Sequence, residues 1–192
     1  MKNLFKIICL LLLTLEASCQ TLPLLTPSFD ISTGAYLKDL DNELPYWVGT
    51  WKGVSGNREY TFQFTSFPHH LNSFSNGDYY YIDELKGKFK VVDLTTNQVL
   101  YNDMMVTNFE DYKIGLSAYG TNIGYRFYYR DDEAHCDNFT GFVLLKSSSN
   151  SNQITYTGFE YYQLLEADTC PYQQQNIPMF LPKVTLTLTR QP

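Results

Sequence analysis

No proline interrupts the chain between Pro68 and Pro171. Proline cannot donate to a sheet ladder and is kept out of central strands, so this stretch suits a continuous sheet. Apolar and polar residues alternate there with period two, as half-buried strands require. Tyr60, Phe62 and Phe64 share one face against Glu59, Thr61, Gln63 and Thr65. Leu85, Phe89 and Val91 oppose Lys86, Lys88 and Lys90; Ile123, Tyr125, Phe127 and Tyr129 oppose Asn122, Gly124, Arg126 and Arg130. Val184, Leu186 and Leu188 form a last such face against Thr185, Thr187 and Thr189. Turn signals separate the runs at Thr95–Asn97, Tyr119–Asn122 and Ser147–Asn152, and Gly158 sits where a run changes face, as a bulge would. The pattern predicts about nine strands, no amphipathic helix and an antiparallel meander. Such a sheet hides its apolar face by closing into a barrel, with a two-sheet sandwich as the alternative.

Charged residues are 18% and aromatic residues 16% of the chain, which excludes a disordered tail, a coiled coil and a collagen-like repeat. The net charge is −6. Loss of a leader carrying Lys2, Lys6 and Glu16 makes it one unit more negative, a balance that repels phosphate backbones and excludes nucleic acid as a partner.

That leader is residues 1–19. Lys2 and Lys6 precede the short apolar run Ile7–Leu13, and Ala17-Ser18-Cys19 supplies small residues for cleavage, the plan of a secretory signal. The run is too short for a spanning helix. Residues 20–45, broken by Pro23, Pro27 and Pro45, form an irregular lead-in, and 46–192 a single β domain. Two readings of Cys19 stand side by side. Either cleavage releases a soluble periplasmic or secreted protein starting near Gln20, or Leu15–Cys19 is a bacterial lipobox and Cys19 carries a lipid anchor. Glu16 puts a charge where a lipobox prefers leucine. Cys136 and Cys170 then remain as an even pair in an exported chain and read as a disulfide. It would close a loop of about 35 residues and contribute roughly 3–4 kcal/mol.

Val48-Gly49-Thr50-Trp51-Lys52-Gly53 opens the strand region and resembles the Gly-x-Trp opening of the lipocalin and fatty-acid-binding superfamily, the calycins. The resemblance implies a closed barrel with Trp51 at its closed end and a cation from the last strand across the indole. Arg190, which continues the apolar face of Leu186 and Leu188, is that cation. A closer resemblance runs over nearly the whole mature chain: Tyr36–Asp39, Asn42–Leu44, Gly49–Gly53, Gly87–Val91, Cys136, Cys170, Ile177-Pro178 and Leu188–Gln191 are similar to a family of small exported flavobacterial proteins carrying a domain of unknown function. It implies compartment and shape, and no activity.

Candidate chemistry is sparse. His69-His70 follows Pro68 in an expected solvated loop, and neither these nor His135 has the spacing of a metal site. Asp131–Asp137 and Asp39–Glu43 lack the glycine and regular acids of a calcium loop. Lys86, Lys88 and Lys90 read as a solvated stripe protecting a sheet edge. No nucleophile elbow, phosphate loop or metalloprotease helix is present, so no catalytic residue, metal or cofactor is assigned. The leading expectation is a non-enzymatic exported barrel that binds a small apolar or amphipathic ligand inside, walled by Tyr60, Phe62, Phe64, Tyr125, Phe127 and Tyr129. The alternative is a cell-envelope interaction protein that engages a protein or glycan through exposed aromatics around Tyr79–Tyr81.

Overall fold

Strand β3 (Gly49–Ser55) turns at Gly56-Asn57 into β4 (Arg58–Ser73), which turns again into β5 (Tyr79–Asp93). The computed structural model describes residues 20–24, 26–119, 124–131, 138–163 and 178–192. A short β6 (Val99–Asn102) pairs back on β5. The meander continues through β7 (Ile114–Tyr119), β8 (Gly124–Asp131), β9 (Asn138–Lys146), β10 (Gln153–Gln163) and β11 (Leu186–Arg190). Two seams close it. β5 pairs with β7 through Lys86–Gly115 and Gly87–Ile114, and β11 pairs with β3 through Thr189–Lys52 and Arg190–Trp51. The result is an eight-stranded closed antiparallel barrel with extra strands, not a sandwich.

The inward faces are those the alternation marks: Tyr60, Phe62, Phe64, Phe89, Phe127 and Leu188 are all buried. At the β3–β11 seam the chains come so close that a Cβ on Gly53 would stand 2.5 Å from the Thr187 carbonyl, so only glycine fits there. Gly158 adopts φ 64° at a register shift between Thr157 and Glu160, the expected bulge.

The nine strands β3 to β11 carry the expected meander, and two short strands within the lead-in bring the described strands to eleven. β1 (Thr21–Pro23) lies parallel on β2 (Tyr36–Lys38), which lies parallel on β5. Val184 lies outside β11 and is 56% exposed, so the last inward face is Leu186, Leu188 and Arg190 alone. Pro68 and His69 lie within β4, at a bulge between Phe67 and His70, where His69 takes φ 54°. A proline is tolerated there because β4 has run past the end of β3, whose pairing stops at Gly49–Phe64, and its outer edge is unpaired with β3.

Candidate functional site

The six expected wall residues are all buried, and several of their rings meet others across the barrel. Phe62 on β4 lies 6.3 Å from Phe142 on the opposite strand β9 and 5.8 Å from Tyr156 on β10. Phe64 meets Phe127 at 5.2 Å, Phe127 stacks on Phe142 at 5.5 Å, and Phe142 stacks on Tyr156 at 4.8 Å. Phe89 presents its ring to the edge of Tyr129 at 5.6 Å. Each of these rings is 2% exposed or less. Burial, followed by the nearby Tyr60, pushes the Tyr156 phenol far above its ordinary range, and its hydroxyl has no hydrogen-bond partner among the described residues.

One end of the barrel is plugged by a 3-10 turn, Leu44–Tyr46, that drives Leu44 and Trp47 inward. Asp39 fixes the turn by accepting the Glu43 and Leu44 amides at 2.9 and 2.8 Å. The Arg190 guanidinium lies 4.2 Å over the Trp51 ring, as the resemblance implies. It also donates to the Val48 carbonyl at 2.6 Å and to the Tyr46 carbonyl, while the Trp51 indole N–H donates to the Trp47 carbonyl at 2.8 Å. Lys146 sits 4.9 Å over Tyr46 and ion-pairs with Glu43, which also accepts the Tyr125 hydroxyl at 2.6 Å. The hydrogen bonds from Lys146 and then Tyr125 hold the Glu43 carboxyl below its usual range.

Beyond the plug the β4–β5 hairpin projects from the barrel. Its base is tied by Asp83, a buried carboxylate that accepts the Tyr36 hydroxyl at 2.5 Å, the Asp39 amide at 2.9 Å and the His69 amide at 3.0 Å. Burial opposes its charge, but those three donors outweigh it and the pKa falls. His69 and His70 lie on β4 where a solvated loop was expected, His69 still exposed and His70 half-buried. His69 stacks on Tyr81 at 4.2 Å and meets the edge of Tyr36 at 4.5 Å, and His70 stacks on Phe109. At the tip Leu71, Phe74 and Tyr79 are 49%, 51% and 40% exposed.

The lysine stripe is also corrected. β5 is no edge in this region, having β4 on one side and β6 or β7 on the other, and residues 103–113 cross its outer face as a strap. Lys86 and Lys88 are each 7% exposed beneath it. Lys86 donates to the Tyr128 hydroxyl at 3.0 Å, pairs with Glu84 at 3.2 Å and stands 4.3 Å over Phe109; Lys88 donates to the Val106 carbonyl at 2.7 Å. Burial disfavours the Lys86 charge, but Glu84 and then Tyr128 more than offset it, so the pKa rises. Lys86 is therefore a tethered cation, not an activated amine. The strap roofs an open groove of about 1170 Å³ that includes Met105, Asn108, Glu110, Tyr128 and Arg130. Its first residue, Asp103, is anchored by accepting the Phe89 amide at 2.6 Å and the Tyr101 hydroxyl at 3.3 Å. Burial raises its carboxyl to about 6.

The sequence missed the Asp83 tie, because an acid in a run of tyrosines gives no hint of distant donors. It missed the strap too, although Met104-Met105-Val106, Phe109 and Tyr112 are apolar beyond the needs of a solvated loop. Cys19, Cys136, Cys170 and His135, and with them the proposed disulfide and most of the Asp131–Asp137 acids, lie outside the described residues. Among the described residues, no group of three or more His, Cys, Asp and Glu side chains could hold a metal ion, and no helix is long and apolar enough to cross a membrane.

These features define a closed antiparallel β-barrel, plugged at one end, with its own aromatic rings meeting across the interior. Residues 1–123 match a family of unknown function, DUF6705, and the chain belongs to that family. No curated protein and no solved structure matches it.

Proposed function

We propose that the protein is exported and acts by binding, without catalysis, through the outside of its barrel, with the apolar end of the β4–β5 hairpin as its contact surface. The observation that carries this reading is the contrast between the two sets of aromatics. The inward set is saturated by ring-to-ring contact, whereas Phe74 and Tyr79 at the hairpin end are 51% and 40% exposed. Exposed apolar residues gathered at one projecting point are the usual mark of a contact surface. The imidazoles of His69 and His70 are engaged in ring stacking, an arrangement suited to packing more than to proton transfer.

A ligand held inside the barrel is the second reading, favoured by one observation: the buried Tyr156 hydroxyl lacks a partner among the described residues and would welcome a polar group. Such a ligand would have to displace the Phe62–Phe142 contact. Native mass spectrometry of protein purified gently from its host decides between the two. The exterior reading expects a bare chain. A reproducible added mass that denaturation releases would overturn it in favour of the interior ligand.

A further inference from the structure

We infer that two copies of the chain pair edge to edge through β4, joining their projecting sheets across a two-fold axis at Asn72. The inference rests on the exterior reading above and names a second copy as the occupant of the hairpin end.

The backbone carries the argument. The Gly34 amide donates to the Tyr79 carbonyl and the Tyr81 amide to the Ala35 carbonyl, both at 2.8 Å. Tyr79 and Tyr81 therefore turn their peptide groups toward the β2 side of β5, away from β4. Across the hairpin they stand opposite Ser73 and Leu71. Residues directly opposite in an antiparallel pair turn their peptide groups alike, both toward each other or both outward. The amides and carbonyls of Leu71 and Ser73 thus point out along the far edge of β4. The β3 pairing has already ended at Gly49–Phe64, and among the described residues no other strand pairs with that edge. A row of donors and acceptors at strand spacing is the template for another strand.

The two edges of the projecting sheet differ. β1, on one side, is three residues long and ends in Pro23. On the other side, β4 carries Pro68 at its bulge, but His70–Phe74 beyond it contains no proline, lysine, arginine or acid. Those are the residues that guard an edge against pairing. With a net charge of −6 the chains repel one another, and this uncharged stretch is a place where two of them meet without opposing acids.

The side chains suit a second copy. When Leu71 of each copy stands opposite Ser73 of the other, both outward residues of each chain are paired and the axis falls at Asn72. A two-fold contact of this kind is isologous and closes at a dimer. On one face of the joined sheet Leu71 lies beside the small Ser73 with Tyr79 beyond; on the other Phe74 lies beside His70. The side chains left exposed in the single chain, Leu71, Phe74 and Tyr79, are those the pairing covers. The polar turn lies past the paired stretch and is satisfied internally, since Asp78 accepts from the Thr33 hydroxyl at 2.7 Å and from the Asn76 amide group at 2.6 Å.

Sedimentation velocity on the full-length protein purified from its host tests the inference. The contact is short, so association should depend on concentration, the mass rising from one chain toward two. Leu71→Pro removes an outward amide and Leu71→Lys sets a charge at the seam. Both should remain at one chain mass with the fold intact, and Leu71→Lys, which leaves the backbone unaltered, serves where proline disturbs the hairpin. Asn72 would face its own copy in a non-hydrogen-bonded pair, with Cα atoms about 4.5 Å apart, close enough for a disulfide. Asn72→Cys should therefore join two chains on mild oxidation, whereas Val184→Cys, exposed elsewhere on the barrel, should do so no more than wild type. A wild type that stays at one chain mass, a Leu71→Lys variant that still dimerises, or equal crosslinking at positions 72 and 184 overturns the inference. If a photo-crosslinker at position 79 of a monomeric wild type captures another protein or a glycan, the pairing fails while the exterior reading survives. If it captures nothing, both fail.

Discussion

Phe62 and Phe142 stand on opposite walls of the barrel with ring centroids 6.3 Å apart. A β-barrel of eight strands leaves room either for its own side chains or for one small ligand. Here the rings of Phe62, Phe142 and Tyr156 take up that room across the barrel.

Removing one of these rings should create the space that the barrel lacks. Phe142→Ala is expected to cost about 3–5 kcal/mol, the usual effect of deleting a buried ring. It should also let a small apolar probe such as benzene raise the melting midpoint, which the wild type should not show. Equal stabilisation of the wild type by benzene would mean that the interior is already open.

Arg190 holds two backbone carbonyls and covers Trp51 at once. Arg190→Ala should destabilise by about 2–3 kcal/mol in urea denaturation, because cation–π contact and two charge-assisted bonds disappear together. Arg190→Lys should recover only part, since an ammonium lacks the planar fork. An unchanged midpoint for Arg190→Ala would reduce Arg190 to a surface residue, and full recovery by Arg190→Lys would show that the charge alone suffices.

The Asp103 carboxyl is raised to about 6 from 3.8, chiefly by burial. The folded state therefore binds this proton more tightly than the unfolded chain. The contribution to stability is fully present below pH 4 and is lost as pH rises through 6. Asp103→Asn keeps an acceptor for the Phe89 amide, and the Tyr101 hydroxyl can turn to accept from the new amide group. The variant should be more stable than wild type above pH 7, by on the order of 1–2 kcal/mol, and should lose that advantage near pH 4. A difference that does not vary with pH would show that Asp103 is not the titrating group.

Lys88 anchors the strap through the Val106 carbonyl. Lys88→Met should make the bond beside Met105, which is 87% exposed, more sensitive to limited proteolysis. The melting midpoint should fall by only about 2–4 °C, the effect of one lost hydrogen bond in a domain of this size. Unchanged cleavage would place the hold on the strap elsewhere, at Phe109 or Asp103.

Much of the barrel was legible because a two-residue period reports directly which side chains face the core. Phe62, Phe127 and Leu188 follow it, and so does the reversal at Gly158. The Trp51–Arg190 pair was readable from parity together with the Gly-x-Trp resemblance. Period alone could not reveal what lies over the outer face. Lys86 and Lys88 alternate as solvated residues do, yet the strap buries them, since Phe109 and the Tyr128 hydroxyl come from distant segments. The hairpin end was anticipated as an aromatic patch at Tyr79–Tyr81, but Tyr81 is covered by His69, and the exposed apolar surface is built instead by Leu71, Phe74 and Tyr79. The parallel β1–β2 pairing escaped notice because three-residue strands carry almost no periodicity.

The seam between β3 and β11 has a consequence for assembly. β3 is the first barrel strand to be synthesised and β11 the last, and their registered pairs are Lys52–Thr189 and Trp51–Arg190. The Arg190 amide bonds the Asn152 carbonyl on one side, and the Gln191 amide bonds the Thr50 carbonyl on the other. Until β11 leaves the ribosome, β3 and β10 both present open edges, and Trp51 has no cation over its ring. Closure of the barrel is a contact between the two ends of the domain, so the nascent chain remains unfinished, and open to chaperones, through almost all of its synthesis.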